Sequence, residues 1–477
     1  MSRPRHPVAD RDALEGLLSR SAGAPLVGGN AVRLLVDGDQ NYPRWLDAIE
    51  SARRTIHLEM YIVHNDRIGR RFRDALVARA RAGVTVRVLY DWFGALRPTS
   101  FRFWTPLADA GGEVRIVNPP RPHTLLNLGS RDHRKLLTVD GRIAFVSGLC
   151  IGDDWVGDAS RGVAPWRDTG IEIRGPAVAE AELAFAGAWA TWGEGLPPGT
   201  VPSSESLRAE GDVHLRVVAT APDRTSLYRL ELAAIASAQD RIWITDAYFM
   251  GTAVYIEALS AAARHGVDVR LLLPNNSDVP WVGNLSRTLY RRLLDAGVRI
   301  FEWNGSMIHA KTAVGDGRLV RVGSTNLNLS SWVGNWELDV IIDHDGVAAE
   351  MESIFDRDLR DATEIVITAR NTVRLRSARP RQTSRDRLPR RRLSRAASGS
   401  LNRAIKDAAL AGSAVGSAVR GYRLLGPHES LSLSMVAVLA VIVGVVAFLW
   451  PRALAYPIGG LSVLAAITML ARAWRAR

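Results

Sequence analysis

Cysteine is nearly absent from this 477-residue chain: Cys150 stands alone. No intramolecular disulfide is possible, a cysteine-rich structural zinc site is excluded, and the usage suits a reducing cytoplasm. An apolar run is missing from the start. Residues 1–16 are polar and charged and lack the apolar centre of a secretory signal, so membrane targeting is expected from the C-terminal side. Basic charge is scarce where a nucleic-acid enzyme would need it. The formal net charge is +12, but residues 370–477 hold 19 Lys and Arg against three Asp and Glu. The preceding residues are therefore slightly acidic in sum, which argues against tracking along a phosphate backbone and against nucleic acid as a partner. Apolar and charged residues are present in ordinary amounts, 47% and 23%. Over this length they suffice for two or three domains, each with a core.

Long uncharged runs occur only near the C-terminus. Leu431 to Trp450 spans twenty residues without a charge, enough to cross a bilayer as a helix. Pro451-Arg452 offers a turn, and Ala453 to Leu470 is a second uncharged run, weakened by Pro457 and Gly459-Gly460. The pair reads as a transmembrane helical hairpin over 431–471. The alternatives are one span with an interfacial or re-entrant segment, or a buried helix of a soluble core. Arg420 and Arg423 precede the hairpin and Arg472, Arg475 and Arg477 follow it. The positive-inside rule then places both ends, and the body with them, in the cytoplasm. Residues 370–430 read as a polybasic linker, with ten arginines between 374 and 395 and Asp386 the sole acid from 370 to 400. It is a solvated spacer, or a strap on anionic lipid where each charge contributes roughly 1 kcal/mol.

Between an N-terminal segment, 1–29, and the linker, the chain repeats itself. The halves are expected at 30–200 and 201–369. In the first, a strand signal over 55–62 precedes a helix near 69–82 and a strand over 84–90. In the second, Arg241–Ile244 precedes a helix near 255–265 and a strand over 267–273. Each half then offers a further helix and strand, at 110–116 and 296–300. Strands of period two alternating with helices of period 3.6 predict an α/β sheet in each half, related by a pseudo-twofold, with function at their interface.

Both halves end in one spacing: His133-x-Lys135-x4-Asp140 and His309-x-Lys311-x4-Asp316. One copy alone could be a surface pair. Two copies at the same point of a repeated unit carry chemistry. On a strand, residues i and i+2 share a face, so each strand would offer an imidazole beside an ammonium. Two such pairs suit in-line displacement at a phosphodiester. One histidine attacks phosphorus, the other moves the proton, and the lysines hold the non-bridging oxygens. Lysine supplies the positive charge, so no metal and no cofactor is expected. Ser324 and Asn326 are placed as phosphate ligands. Asp168 and Glu337 are placed to hold the far nitrogen of a histidine, with an ordinary ion pair as the plainer reading. Asp140 and Asp316 are grouped with the catalytic motifs but suit turns. Tyr61 and Tyr248 end corresponding strands, as pocket lining or as core.

These motifs, with Gly323-Ser324-x-Asn326, Trp166 to Thr169 and Ala247-Tyr248-Phe249, resemble the phospholipase D superfamily, and within it the bacterial cardiolipin synthases. The resemblance covers about residues 28–345. It implies two phospholipase D-like α/β/α sandwich domains, a phosphatidyl-histidine intermediate, and transfer between glycerol-based alcohols. Phosphatidylglycerol and cardiolipin in an anionic inner membrane are then the partners, with the oligomeric state open. By the same likeness His133 is favoured as nucleophile and His309 as acid and base. A phospholipase D-type hydrolase is the alternative. The chain departs from the pattern at Ser147-Gly148-Leu149-Cys150, where cysteine replaces the usual asparagine, and at Asn328.

Overall fold

The computed structural model describes residues 11–94, 101–119, 130–222, 224–367 and 373–375. Most of the polybasic linker and the whole expected hairpin lie outside these residues. Among the described residues no helix is long and apolar enough to cross a membrane. The described residues form one compact unit.

The first half contributes strands β1 (Val27–Val36), β2 (Thr55–Met60), β3 (Thr85–Asp91), β4 (Glu113–Val117), β5 (Lys135–Val139), β6 (Ile143–Ser147) and β7 (Thr169–Arg174). The second contributes β8 (Val213–Thr220), β9 (Arg241–Thr245), β10 (Asp268–Pro274), β11 (Arg299–Trp303), β12 (Thr312–Gly315), β13 (Leu319–Gly323) and β14 (Glu337–Asp343). The strands β15 (Ala362–Ile367) and β16 (Val373–Leu375) extend its edge. Helix α1 (Arg11–Ala22) precedes the repeat. Then α2 (Asp37–Ser51), α3 (Arg67–Arg81), α4 (Phe101–Asp109) and α5 (Val178–Thr191) in the first half answer α6 (Ser226–Ser237), α7 (Ala253–Arg264), α8 (Pro280–Asp295) and α9 (Asp345–Arg360) in the second.

The strand order is β4-β3-β2-β5-β6-β7-β1 in one half and β11-β10-β9-β12-β13-β14-β8 in the other, joined at β1 and β8. Corresponding strands thus hold corresponding places. The three strands farthest from the seam in each half, β2·β3·β4 and β9·β10·β11, are parallel and need helical crossovers, which α3, α4, α7 and α8 supply. At the seam β1 pairs antiparallel with β8 through a bulge between Val27 and Asn30, while its later residues pair with β7. The buried Asn30 fixes this corner: its amide donates to the carbonyls of Val27 and Val213, and its oxygen accepts the N–H of Ala177. The sheet is covered on both faces. Ile56, Leu58 and Met60 of β2 meet the core under α2 and α3, and a central core runs from Leu136 and Ile171 in one half to Val320 and Leu338 in the other.

The other face of β2 is polar. His57 Nδ1 lies 2.7 Å from Glu182 on α5, and its ring stacks on Phe185. Beside it Glu59 is fully buried, its Oε1 3.6 Å from the Arg134 guanidinium. Burial and the neighbouring Asp132 push its pKa well above the usual range, against the pull of Arg134. We read Glu59 and Asp132 as a pair sharing one proton. Glu59 is then neutral in the fold but ionised in the unfolded chain above about pH 4.3, so its contribution to stability falls as pH rises. Glu59→Gln removes that fall. Its melting temperature is expected to gain on the parent's progressively between pH 5 and 8, as read by calorimetry.

Candidate active site

Two extended approaches lead to the site. The histidines stand just outside the strands on which they were expected: β5 opens at Lys135, and β12 opens after Lys311. The reason is that each approach leaves its own sheet to pair with the opposite half. Asp132 bridges to Trp336, and Ile308 bridges to Arg167. The His133 N–H donates to the Trp336 carbonyl at 2.9 Å, and the His309 N–H to the Arg167 carbonyl at 2.7 Å. The relation between i and i+2 survives in this extended backbone. The Tyr61 ring lies 4.9 Å from the ring of His133 and 5.1 Å from Lys135 Nζ. The Tyr248 ring lies 5.8 Å from that of His309 and 5.7 Å from Lys311 Nζ. Both tyrosines therefore line the site.

The imidazoles are held crosswise. His133 Nδ1 lies 2.9 Å from Glu337 Oε2 of the second half, and His309 Nδ1 lies 2.7 Å from Asp168 Oδ2 of the first. This contact keeps the proton on Nδ1, which donates to the carboxylate, and leaves Nε2 for the chemistry. The carboxylates are held in turn. Asp168 accepts from Trp155 Nε1 at 3.0 Å and from the Thr169 amide. Glu337 accepts from Ser324 Oγ at 2.6 Å and from Asn335 Nδ2. Ser324, expected as a phosphate ligand, thus spends its proton on Glu337 and accepts the Leu338 N–H. Asn326 is buried, its carboxamide oxygen without a partner among the described residues. Gly148 is needed where it is: a Cβ there would come within 2.2 Å of Asp168 Oδ1.

Each ammonium gives one of its three donors to the carbonyl of its own motif's histidine. The lysines of the two halves act on each other. Burial and Lys135 lower the Lys311 pKa to about 8, against Asp168 and Asp246. Burial and Lys311, with a smaller push from Lys135, lower His309 to about 4, although Asp168 opposes them. His309 is therefore neutral at pH 7. Asp168 lies below the usual carboxylate range, because His309 and Lys311 together outweigh its burial. Glu337 lies above it, because burial prevails over Lys135. The buried Cys150 thiol feels both ammonium groups while burial raises its pKa. The two half-sites thus share one centre.

Asp140 and Asp316 lie outside that centre. Both occupy left-handed turns, φ 56° and 49°, which aspartate tolerates better than most residues. The Asp140 carboxylate accepts the amides of Arg53, Arg54 and Thr55, and Asp316 those of Gln239, Asp240 and Arg241. Each staples the turn of its motif to the start of β2 or β9. Two arginines escaped the sequence reading. Arg134 donates to the carbonyls of Glu337, Ala184 and Thr220, and Arg167 binds Asp358 on α9 and Asp37. Both tie one half to the other. So did Trp155. Its counterpart by position, eight residues after the paired strand end, is the buried Ser331 beside Glu337.

Asp168→Asn is expected to favour the wrong His309 tautomer and lower turnover by about 10²–10⁴ with the fold intact, as measured by initial rates and circular dichroism. Asp140→Ala is expected to do the reverse. It costs about 2 kcal/mol in half-exposed amide bonds, seen in urea unfolding, and leaves turnover per folded molecule unchanged.

Residues 45–153 and 232–359 match the family described as "Cardiolipin synthase, PLD-like domain". The cardiolipin synthase of Geobacillus sp. (strain WCH70) is 34% identical over 353 residues, 73% of this chain and 70% of that one. Cardiolipin synthase 1 of Bacillus anthracis is 31% identical over 370 residues, 75% and 72% of the two chains. Among solved structures, phosphatidylserine synthase of Haemophilus influenzae Rd KW20 shares the fold, with a TM-score of 0.59 at 15% identity over 74% of this chain and 92% of that one. Two copies of one α/β unit, joined through a common centre of paired His and Lys and matched at this identity over this length, make the chain a member of the PLD-like cardiolipin synthase family.

Proposed function

We propose that this protein is a cardiolipin synthase: it joins two phosphatidylglycerols into cardiolipin and releases glycerol. One observation carries the reading, the convergence of two carboxylate-held imidazoles and two ammonium groups from opposite halves. In the first step His133 Nε2 attacks phosphorus. The ester P–O bond breaks, and glycerol leaves with a proton from His309. The substrate's negative charge sits between the lysines and offsets the field that keeps His309 neutral, so the imidazole gains the basicity to carry that proton. In the second step a hydroxyl of another phosphatidylglycerol loses its proton to His309 and attacks phosphorus, and the P–N bond breaks. Lys135, Lys311 and the carboxamide of Asn326 hold the non-bridging oxygens.

We further propose that the uncharged runs over 431–471 anchor the chain in the cytoplasmic membrane, with the body on the inner face and the arginines of the linker on anionic lipid. Purified full-length protein in phosphatidylglycerol vesicles is expected to yield cardiolipin and glycerol in equal amounts, by mass spectrometry. His133→Ala and His309→Ala are each expected to lower that yield about 10³-fold or more. Rapid quenching should trap the phosphatidyl group on His133. Phosphatidic acid as sole product would instead establish the hydrolase.

A further inference from the structure

The two orienting carboxylates are held by different chemistry, and the difference falls on one side of the site. Eight residues beyond the end of β6 stands Trp155, and eight beyond the end of β13 stands Ser331. Two residues before Asp168 stands Trp166, and two before Glu337 stands Asn335. The His133 side is thus lined by hydroxyl and amide, and the His309 side by indole. Trp155 is 2% exposed. Its ring meets that of His309 edge-on at 5.7 Å, and Trp166 meets His309 at 5.5 Å and Trp155 at 4.9 Å. With Tyr248 at 5.8 Å, three aromatic rings surround one imidazole. The other half closes the corresponding interval with a shorter segment, residues 324–336 against 148–168, and sets serine and asparagine beside its carboxylate.

We propose that Trp155 is a positioning residue, which through its indole N–H locks Asp168 onto His309, and that with Trp166 it walls His309 against water so that the intermediate passes to an alcohol. The second part rests on the transferase reading. The charged groups facing His309 are Asp168 from the first half, Lys311 beside it and Lys135 across the seam. Removing the indole donor leaves Asp168 less stabilised and more basic, so the imidazole it holds becomes more basic too. Removing the wall leaves the proton on His309 within reach of solvent, and water competes with the acceptor hydroxyl.

The test uses the full chain in detergent and in phosphatidylglycerol vesicles. Trp155→Phe keeps an aromatic ring and loses the N–H together with the second ring of the indole. It is expected to lower kcat about tenfold with KM within about twofold, and to move the His309 titration, followed by NMR of labelled imidazole, to higher pH. Trp166→Asn copies the other half at a partly exposed position on the edge of the core. It is expected to raise the ratio of phosphatidic acid to cardiolipin several-fold. Parental kcat and an unmoved His309 titration in Trp155→Phe would overturn the positioning role. An unchanged product ratio in Trp166→Asn would overturn the wall. If the parent itself forms only phosphatidic acid, the transferase reading and the wall fall together, while the titration still decides the positioning role.

Discussion

Each histidine of this protein is oriented by a carboxylate from the opposite half of the chain, and the rest of the architecture serves that exchange. It requires the two approach segments to leave their own strands and pair across the seam, which they do through the backbone of Trp336 and Arg167. It requires arginines to fasten the crossing: Arg134 reaches carbonyls on both sides, and Arg167 reaches α9. It also requires the two motifs to stay in register with the sheet, which Asp140 and Asp316 ensure from its far end. A buried histidine without its carboxylate would be misoriented and poorly hydrated. Neither half can therefore assemble a working imidazole alone.

The pseudo-twofold is accurate in topology and broken in chemistry. Strand for strand and helix for helix the halves correspond. Around the reacting centre they do not. Asp168 is matched with Gly148 and Trp155, Glu337 with Ser324 and Ser331. The shorter carboxylate leaves no room for a Cβ at 148, and the longer one accepts a hydroxyl at the equivalent position. The charge environment diverges accordingly, with Asp168 pushed down by His309 and Lys311 and Glu337 pushed up by burial. In the proposed mechanism one imidazole attacks and the other moves the proton, and such a division needs this difference, since identical surroundings would give identical basicity.

Much of this was legible in the residues, and the boundary between legible and hidden is physical. Alternation and helical period located β2 and α3 to within a few residues, because both are set locally. The duplicated His-x-Lys spacing marked the residues that the fold brings to one centre, because both copies stand at the same point of the repeat. What stayed hidden depends on contacts between residues 204 and 141 positions apart, the two crossed pairs. Their partners could be named as histidine holders, but not assigned. The displacement of His133 and His309 from the strands was hidden for the same reason. Ser324 was given to phosphate because its hydroxyl was counted without Glu337, the acceptor that claims it. Trp155 went unread because a tryptophan in a loop looks like core until its N–H is seen on a carboxylate.

The seam at β1 and β8 has a mechanical consequence. One strand hydrogen-bonds to both halves at once, with Asn30 plugging the bulge between them. Backbone pairing of this kind does not open and shut on the timescale of a turnover. Enzymes that expel water by swinging two lobes together have a hinge to do it with, and here the hinge position is occupied by a ladder. Dryness in such a cleft has to be permanent, furnished by side chains already in place before a lipid arrives.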